Sequence, residues 1–256
     1  MRFYGDYHTH TRYSDGLGTV ADNAAAARAA GLNALAISDH GYNNPNPFSL
    51  TRRKQRKQAA EIASVRPAFP DLTIYTAIEA DIIASDGSVD LDQDDLGLFD
   101  FITVGYHRWA RPRSFADFRK FYLNAYLSPF RRPSASEIVR NTDTFVRCIE
   151  RYPVAILAHI NNYSIVDCKT VAECCAHYNT LIELNGKHID LARADFEIML
   201  GTDCRFIANT DAHKPGAVGK FDLIDQYLKP YPEAYDRIVN TRPDPVTFRT
   251  PNKEAL

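Results

Sequence analysis

The sequence predicts an α/β fold in which strands and helices alternate around a closed barrel. Three observations carry that expectation. Short apolar runs recur along the 256 residues with helical stretches between them. Strands alternating with helices at this spacing imply a parallel sheet, whose simplest closed form is a (β/α) barrel. Residues of metal-binding type fall at the carboxyl ends of these runs, the rim where barrel enzymes keep their active sites.

The elements follow in order. Residues 3–8 read as the first strand. The Ala-rich segment 20–30 is helical by propensity and is closed by Gly31 as a C-terminal cap. Segment 32–38 is the second strand. Segment 50–65 is a helix whose Arg52, Arg53, Lys54, Arg56 and Lys57 form a solvated face. Segment 72–80 is the third strand, and 82–91 a hairpin turning at Ser85-Asp86-Gly87-Ser88. Segment 99–106 is the fourth strand. The long connection 108–133, rich in Arg, Phe, Tyr and Pro, is helical over 115–127. A helix over 134–152 opens with Ser-x-Ser-Glu. Strand 154–158, helix 166–178, strand 181–184, helix 189–199, strand 206–209 and helix 221–228 complete the series before a Pro-rich tail. About seven units result, one short of the usual eight. With no repeat, linker or low-complexity tract, a single domain over 1–256 is expected.

Lys plus Arg number 30 against 32 Asp plus Glu, a formal charge of −2. That balance argues against a dedicated nucleic-acid surface. It leaves room for a small phosphorylated substrate met by a local basic cluster. Five cysteines form no CxxC pair, so buried reduced thiols are expected; a Cys174-Cys175 nucleophile or redox pair is the lesser reading. No apolar run approaches membrane-spanning length and no leader-like run opens the chain, so a cytoplasmic protein without membrane contact is expected.

The functional signal begins at His8-Thr9-His10. Two imidazoles one residue apart share a strand face, with Asp15 on the following turn. His40 ends strand two, Glu79 strand three, His107 strand four, His159 strand five, and Asp211 with His213 strand seven. Any one of them alone reads as a half-buried side chain, a cap or an ion-pair partner. Gathered on one rim, they would destabilise the fold by desolvation and mutual repulsion unless something bound them. Imidazoles mixed with carboxylates suit zinc, manganese or iron rather than calcium or a thiolate-bound metal. His177 lies in a helix away from this pattern. His188, just past strand six, is a candidate for the mouth.

These residues carry a family resemblance. His8-x-His10-x-x-x-Ser14-Asp15-Gly16, Ser38-Asp39-His40, Glu79, Gly105-Tyr106-His107, Leu157-Ala158-His159 and Asp211-Ala212-His213, in that order, resemble the successive motifs of the PHP (polymerase and histidinol phosphatase) family. The segments around Ile78–Ile82, Ile182-Glu183-Leu184-Asn185 and Ile238-Val239-Asn240 resemble its stand-alone YcdX-like phosphatase branch. The resemblance implies a distorted (β/α)7 TIM-like barrel with three divalent transition-metal ions (Zn, Mn and/or Fe) at the C-terminal rim. One ion would take His8, His10, Glu79 and Asp211. A second would share bridging Glu79 and take His107 and His159. A third would take Asp15, His40 and His213. Asp15 stands where some members of that branch have a His.

Such a centre points to a phosphoesterase acting on a small phosphorylated metabolite through a metal-bridging hydroxide, with Glu79 and Asp211 as the central carboxylates. Asp6 shares a strand face with His8 and is expected to orient a ligand imidazole; Asp39 points away from His40. Arg12 and Arg108 are expected to meet the phosphate, followed by Arg111, then Arg113, Arg131, Arg132 and Lys187. The aromatic loop (Trp109, Phe115, Phe118, Phe121, Tyr122) suits a pocket wall, packing under a lid, or a subunit contact, which leaves a homo-oligomer open. Two other readings compete: an amidohydrolase, disfavoured because strand four ends in His107 and offers no lysine, and a non-catalytic metal-binding barrel serving an assembly.

Overall fold

Seven parallel strands pair in chain order, β1 to β7, in a computed structural model that describes residues 1–45, 47–127 and 131–250. They are β1 (Gly5–Asp6), β2 (Ala34–Ile37), β3 (Thr73–Asp81), β4 (Phe101–Gly105), β5 (Val154–Leu157), β6 (Leu181–Asn185) and β7 (Arg205–Asn209). The longer helices pack outside: α1 (Val20–Ala29), α2 (Arg52–Val65), α3 (Ala135–Arg151), α4 (Cys168–Tyr178), α5 (Arg193–Leu200) and α6 (Asp222–Leu228). Four of the six begin at a side-chain cap. Thr19 and Ser134 close capping boxes with Asp22 and Glu137, and Thr51 and Asp167 cap α2 and α4. Gly31 takes φ +74° just past α1, as its cap role requires.

The strands are buried on both faces, so they read as continuous apolar runs. Leu35, Ile37, Ile78, Ile102, Val104 and Phe206 face the helices in the main core. The other side holds a smaller cluster inside the barrel, where small Ala34, Ala36, Ala77 and Ala155 leave room for Tyr7, Phe101 and Ile207. The tail closes the barrel floor: Phe248 stacks on Phe101 with centroids 4.1 Å apart.

The sheet is almost closed. Between β7 and β1 the seam is bridged by side chains and a late segment rather than by a regular ladder. Asn240 donates to the carbonyls of Gly5 (2.8 Å) and Ala208 (2.7 Å) and accepts from Ala208 N (3.0 Å). Tyr7 N donates to Asn209 Oδ1 at 2.9 Å. That substitution explains why β1 is two residues long rather than the expected six.

Other boundaries also moved. β3 runs on to Asp81, so Glu79 lies inside the strand rather than at its end. The hairpin after it is present, with Ile82 paired antiparallel to Val89. The helix expected over 115–127 includes a π-helical turn, Phe118–Tyr122. Of the long connection, residues 128–130 lie outside the described residues. Among the described residues, no helix is long and apolar enough to cross a membrane. All five cysteines are unpaired, and burial pushes Cys148 up to about 12, which suits inert thiols.

Candidate metal centre

Strand alternation builds the centre layer by layer. The inward positions of β3 run Ala77, Glu79, Asp81; those of β6 run Leu181, Glu183, Asn185; those of β7 run Ile207, Asn209 and then Asp211 beyond the strand. The lowest members belong to the apolar interior. The next two layers are polar and meet the histidines that the loops bring in from above.

Glu79, 1% exposed, lies at the middle. Its Oε2 faces His40 Nδ1 (2.8 Å), His8 Nε2 (3.4 Å) and His10 Nε2 (3.6 Å). Its Oε1 faces His159 Nε2 (2.7 Å) and His107 Nε2 (3.5 Å). Asp211 Oδ1 lies 3.2 Å from His10 Nε2 and 3.9 Å from His8 Nε2. Asp15 Oδ2 lies 3.1 Å from His213 Nε2 and 3.4 Å from His40 Nε2. All nine expected ligand residues therefore converge. Eight of them form overlapping clusters: His10 with Asp15, His40 and His213; His8 with His10 and Asp211; His40 with Glu79 and His107. His159 joins through Glu79 Oε1. His10 and His40 thus belong to two clusters each, where the family resemblance would assign each to a single ion.

The donor atoms fit a cation. His8 Nε2, both ring nitrogens of His10, His40 Nδ1 and Glu79 Oε2 are buried without a hydrogen bond among the described residues. A buried polar atom without a partner is costly, and here several point at one small volume. Burial, then the neighbouring His213 and His40, pushes His10 down to about 3, which keeps it in the neutral form that ligates metals. Burial opposes the charge on His8, but Glu183, Glu79 and Asp211 outweigh it and raise its pKa well above the ordinary value. His159 (φ 30°) and Asp211 (φ 50°) hold the left-handed backbone region that non-glycine residues avoid. That strain, of order 1–3 kcal/mol per residue, tends to gather at functional sites.

Two carboxylates that the sequence places in resembling segments but gives no role in the site support the ring. Glu183 Oε1 lies 2.7 Å from His8 Nδ1 and accepts from Asn209 Nδ2 at 2.9 Å, while its Oε2 accepts from His159 N at 3.0 Å. Asp81 Oδ1 lies 2.7 Å from His107 Nδ1. The available signal was a carboxylate at an inward position of an apolar strand.

Asp6 does not take the expected role. Its carboxylate binds Thr210 N (3.0 Å), Thr210 Oγ1 and Gly219 N (3.1 Å), so it fastens the loop bearing Asp211 rather than an imidazole. Asp39 points away from His40 and accepts from Thr11 N (2.7 Å), Thr11 Oγ1 (2.6 Å), Ser14 Oγ (2.5 Å) and Gln58 Nε2 (2.6 Å), which anchors the turn carrying Asp15.

The arginines are placed as follows. Arg12 turns outward to Glu61 at 3.1 Å, because α2 brings that carboxylate alongside. Arg108 is stacked between the rings of Trp109 (4.4 Å) and Tyr163 (4.5 Å) and braces the wall. Arg111 is exposed and ties its backbone to Asn43. Among the described residues, Lys187, one of the sequence candidates, reaches the centre, with Nζ 3.2 Å from His213 Nδ1 and 3.6 Å from Asp211 Oδ2. Lys187 and His188 line a cavity of about 710 Å³ over the centre, with Phe48, Trp109 and Tyr163 on its walls. Of the aromatic loop, Trp109 lines this mouth, whereas Phe121 and Tyr122 are buried in the core.

A profile of the PHP domain matches residues 6–237. The chain belongs to the PHP family. Among its PHP relatives, a probable phosphatase of Shewanella piezotolerans is 24% identical over 262 residues, covering 95% of this chain and 92% of that one. A probable phosphatase of Caldanaerobacter subterraneus is 25% identical over 257 residues, covering 96% and 90%. The DNA polymerase/3′-5′ exonuclease PolX of Bacillus subtilis is 26% identical over 218 residues; the match covers 82% of this chain but 34% of that protein, about a third of its length. The solved histidinol phosphate phosphatase of Lactococcus lactis, complexed with zinc, L-histidinol and phosphate, shares the PHP fold. Its TM-score is 0.59 at 14% identity, covering 90% of this chain and 93% of that one.

Proposed function

We propose that this PHP protein is a metal-dependent phosphatase that hydrolyses the phosphate monoester of a small metabolite. Its nine convergent side chains would hold three divalent transition-metal ions, zinc, manganese or iron. His8, His10, Glu79 and Asp211 would hold one; Glu79, His107 and His159 a second; Asp15, His40 and His213 a third. The observation that carries this reading is Glu79, a buried carboxylate whose two oxygens face two different sets of imidazoles. When bound, such cations neutralise phosphoryl oxygens and bring the pKa of a water near 7.

The chain's own residues do the rest. Glu183 accepts a hydrogen bond from His8 Nδ1–H, so Nε2 presents its lone pair to the centre. Asp81 does the same for His107. Lys187 supplies a positive charge at the mouth for a phosphoryl oxygen. Phe48, Trp109 and Tyr163 exclude water from the organic part of the substrate. The stand-alone probable phosphatases, nearly co-extensive with this chain, support the same reading.

The test is hydrolysis of an aryl phosphate by protein loaded with manganese or zinc, with metal content measured by mass spectrometry. Turnover is expected in the wild type and absent in His10→Ala. Equal rates in both would overturn the proposal.

A further inference from the structure

A second hollow, of about 490 Å³, lies between α3 and the helical stretch before it. It shares no lining residue with the cavity over the metal centre. Arg119 and Lys120 project from the π-helical turn on one side, and Arg140 and Arg147 from α3 on the other. Asp143 is the one carboxylate in the lining.

None of these four cations has an ion pair or a side-chain hydrogen bond among the described residues. Nearby arginines behave differently. Arg113 meets Asp86 at 3.0 Å, Arg151 meets Asp86 at 3.8 Å, and Arg131 meets Glu137 at 2.5 Å. Like charges gathered around a concavity focus a positive potential into it and favour an anion there.

The spacing indicates what kind of anion. Arg140 and Arg147 are seven residues apart on one helix face, so their Cα atoms are separated by about 10 Å along the axis. Thr144, between them, donates to the carbonyls of Arg140 (2.8 Å) and Ser85 (3.1 Å), which fastens the hairpin to α3 and fixes the floor. At the hairpin tip, Gly87 has φ +80°, and a Cβ there would lie 2.5 Å from Cys148 N, so the two elements are in direct backbone contact. The facing wall is a π turn, an irregularity found often at functional sites. A single phosphate would engage one end of this row of charges; two or three linked phosphates would engage both.

We propose that this hollow binds a di- or triphosphate group, free or carried by a nucleotide, separately from the metal centre. The test titrates inorganic triphosphate, and in parallel ATP, into the metal-loaded wild type and the Arg140→Ser/Arg147→Ser double variant by calorimetry. The metal centre is common to both proteins. The wild type is expected to show an extra binding event, weakened at least tenfold in the double variant and also in Lys120→Gln from the opposite wall. Turnover of an aryl phosphate is expected to be unchanged in these variants. Tighter binding of ATP than of triphosphate would assign the nucleotide as the source, and equal binding the free polyphosphate. Identical titrations in wild type and variants would overturn the proposal. So would variants that lose binding of a single-stranded oligonucleotide but not of triphosphate, because the surface would then be a nucleic-acid track.

Discussion

His8 Nδ1 and Glu183 Oε1 lie 2.7 Å apart, with both side chains fully buried. The pair joins the first strand's histidine to a carboxylate on the sixth strand, across the barrel interior. An ionised carboxylate only accepts, so the proton resides on Nδ1 and the other nitrogen is free to face Glu79. Glu183 therefore sets the tautomer of a ring that belongs to the candidate metal centre, without itself being one of the nine candidate ligands.

Glu183→Gln is expected to lower metal affinity by roughly 10- to 100-fold, the usual effect of losing such a support. Asp81→Asn should do the same through His107. Competition with a graded chelator, followed by metal analysis, measures this. Wild-type retention of metal in both variants would remove these carboxylates from the account.

Gly105→Ala probes the tightness of the centre. A Cβ at that position would lie 2.7 Å from His159 Cε1 and 3.0 Å from Glu79 Oε1. Displacing either group by about 1 Å should cost on the order of 100-fold in rate. Circular dichroism should stay native, because Gly105 ends a strand without a special backbone angle.

Asp39→Ala should act on stability first. Four donors converge on its buried carboxylate. Leaving buried donors unpaired costs about 1–3 kcal/mol each, partly relieved by relaxation, so a loss of roughly 3 kcal/mol is expected in urea unfolding. Because the same bonds hold the turn of Asp15, metal stoichiometry should fall as well.

Acid stability should report Glu137. Arg131 Nη1 (2.8 Å) and Ser134 N (2.7 Å) bind its carboxylate, and the arginine first, then the backbone, holds its pKa down to about 2 from an ordinary 4.5. The folded-state value is the depressed one, so its stabilisation is present above pH 4.5 and lost as pH falls toward 2. The gap in Tm between wild type and Glu137→Gln should be constant near neutrality and shrink on acidification. A gap that widens in acid would contradict this.

Metal loading should stabilise the protein strongly. A ligand at about a thousandfold over its Kd adds roughly 4 kcal/mol to a folded state it alone recognises. Thermal unfolding with added manganese or zinc should shift upward, reverse with a chelator, and shift less in His10→Ala.

The barrel and the ring of candidate ligands were legible in the sequence because both follow from position along the chain. Alternation of strand and helix fixes which ends share a rim, and His8, His40, His107 and His159 stand at those ends. What it hid depends on contacts across the fold. Arg12 looks like a phosphate ligand until α2 sets Glu61 beside it. Asp6 shares a face with His8, yet Thr210 and Gly219 claim its oxygens. Glu183 and Asp81 sit inside apolar strands and acquire meaning once their histidines are placed above them.

The family profile ends at residue 237, but the barrel does not. Asn240 spans the seam between β7 and β1, and Phe248 covers Phe101 on the floor. Cutting the chain at the end of the profile would keep every candidate metal ligand and still unzip the cylinder that positions them. Inheritance of the chemistry and autonomy of folding therefore end at different residues, and a swap or fusion planned around the first boundary would transplant an incomplete vessel.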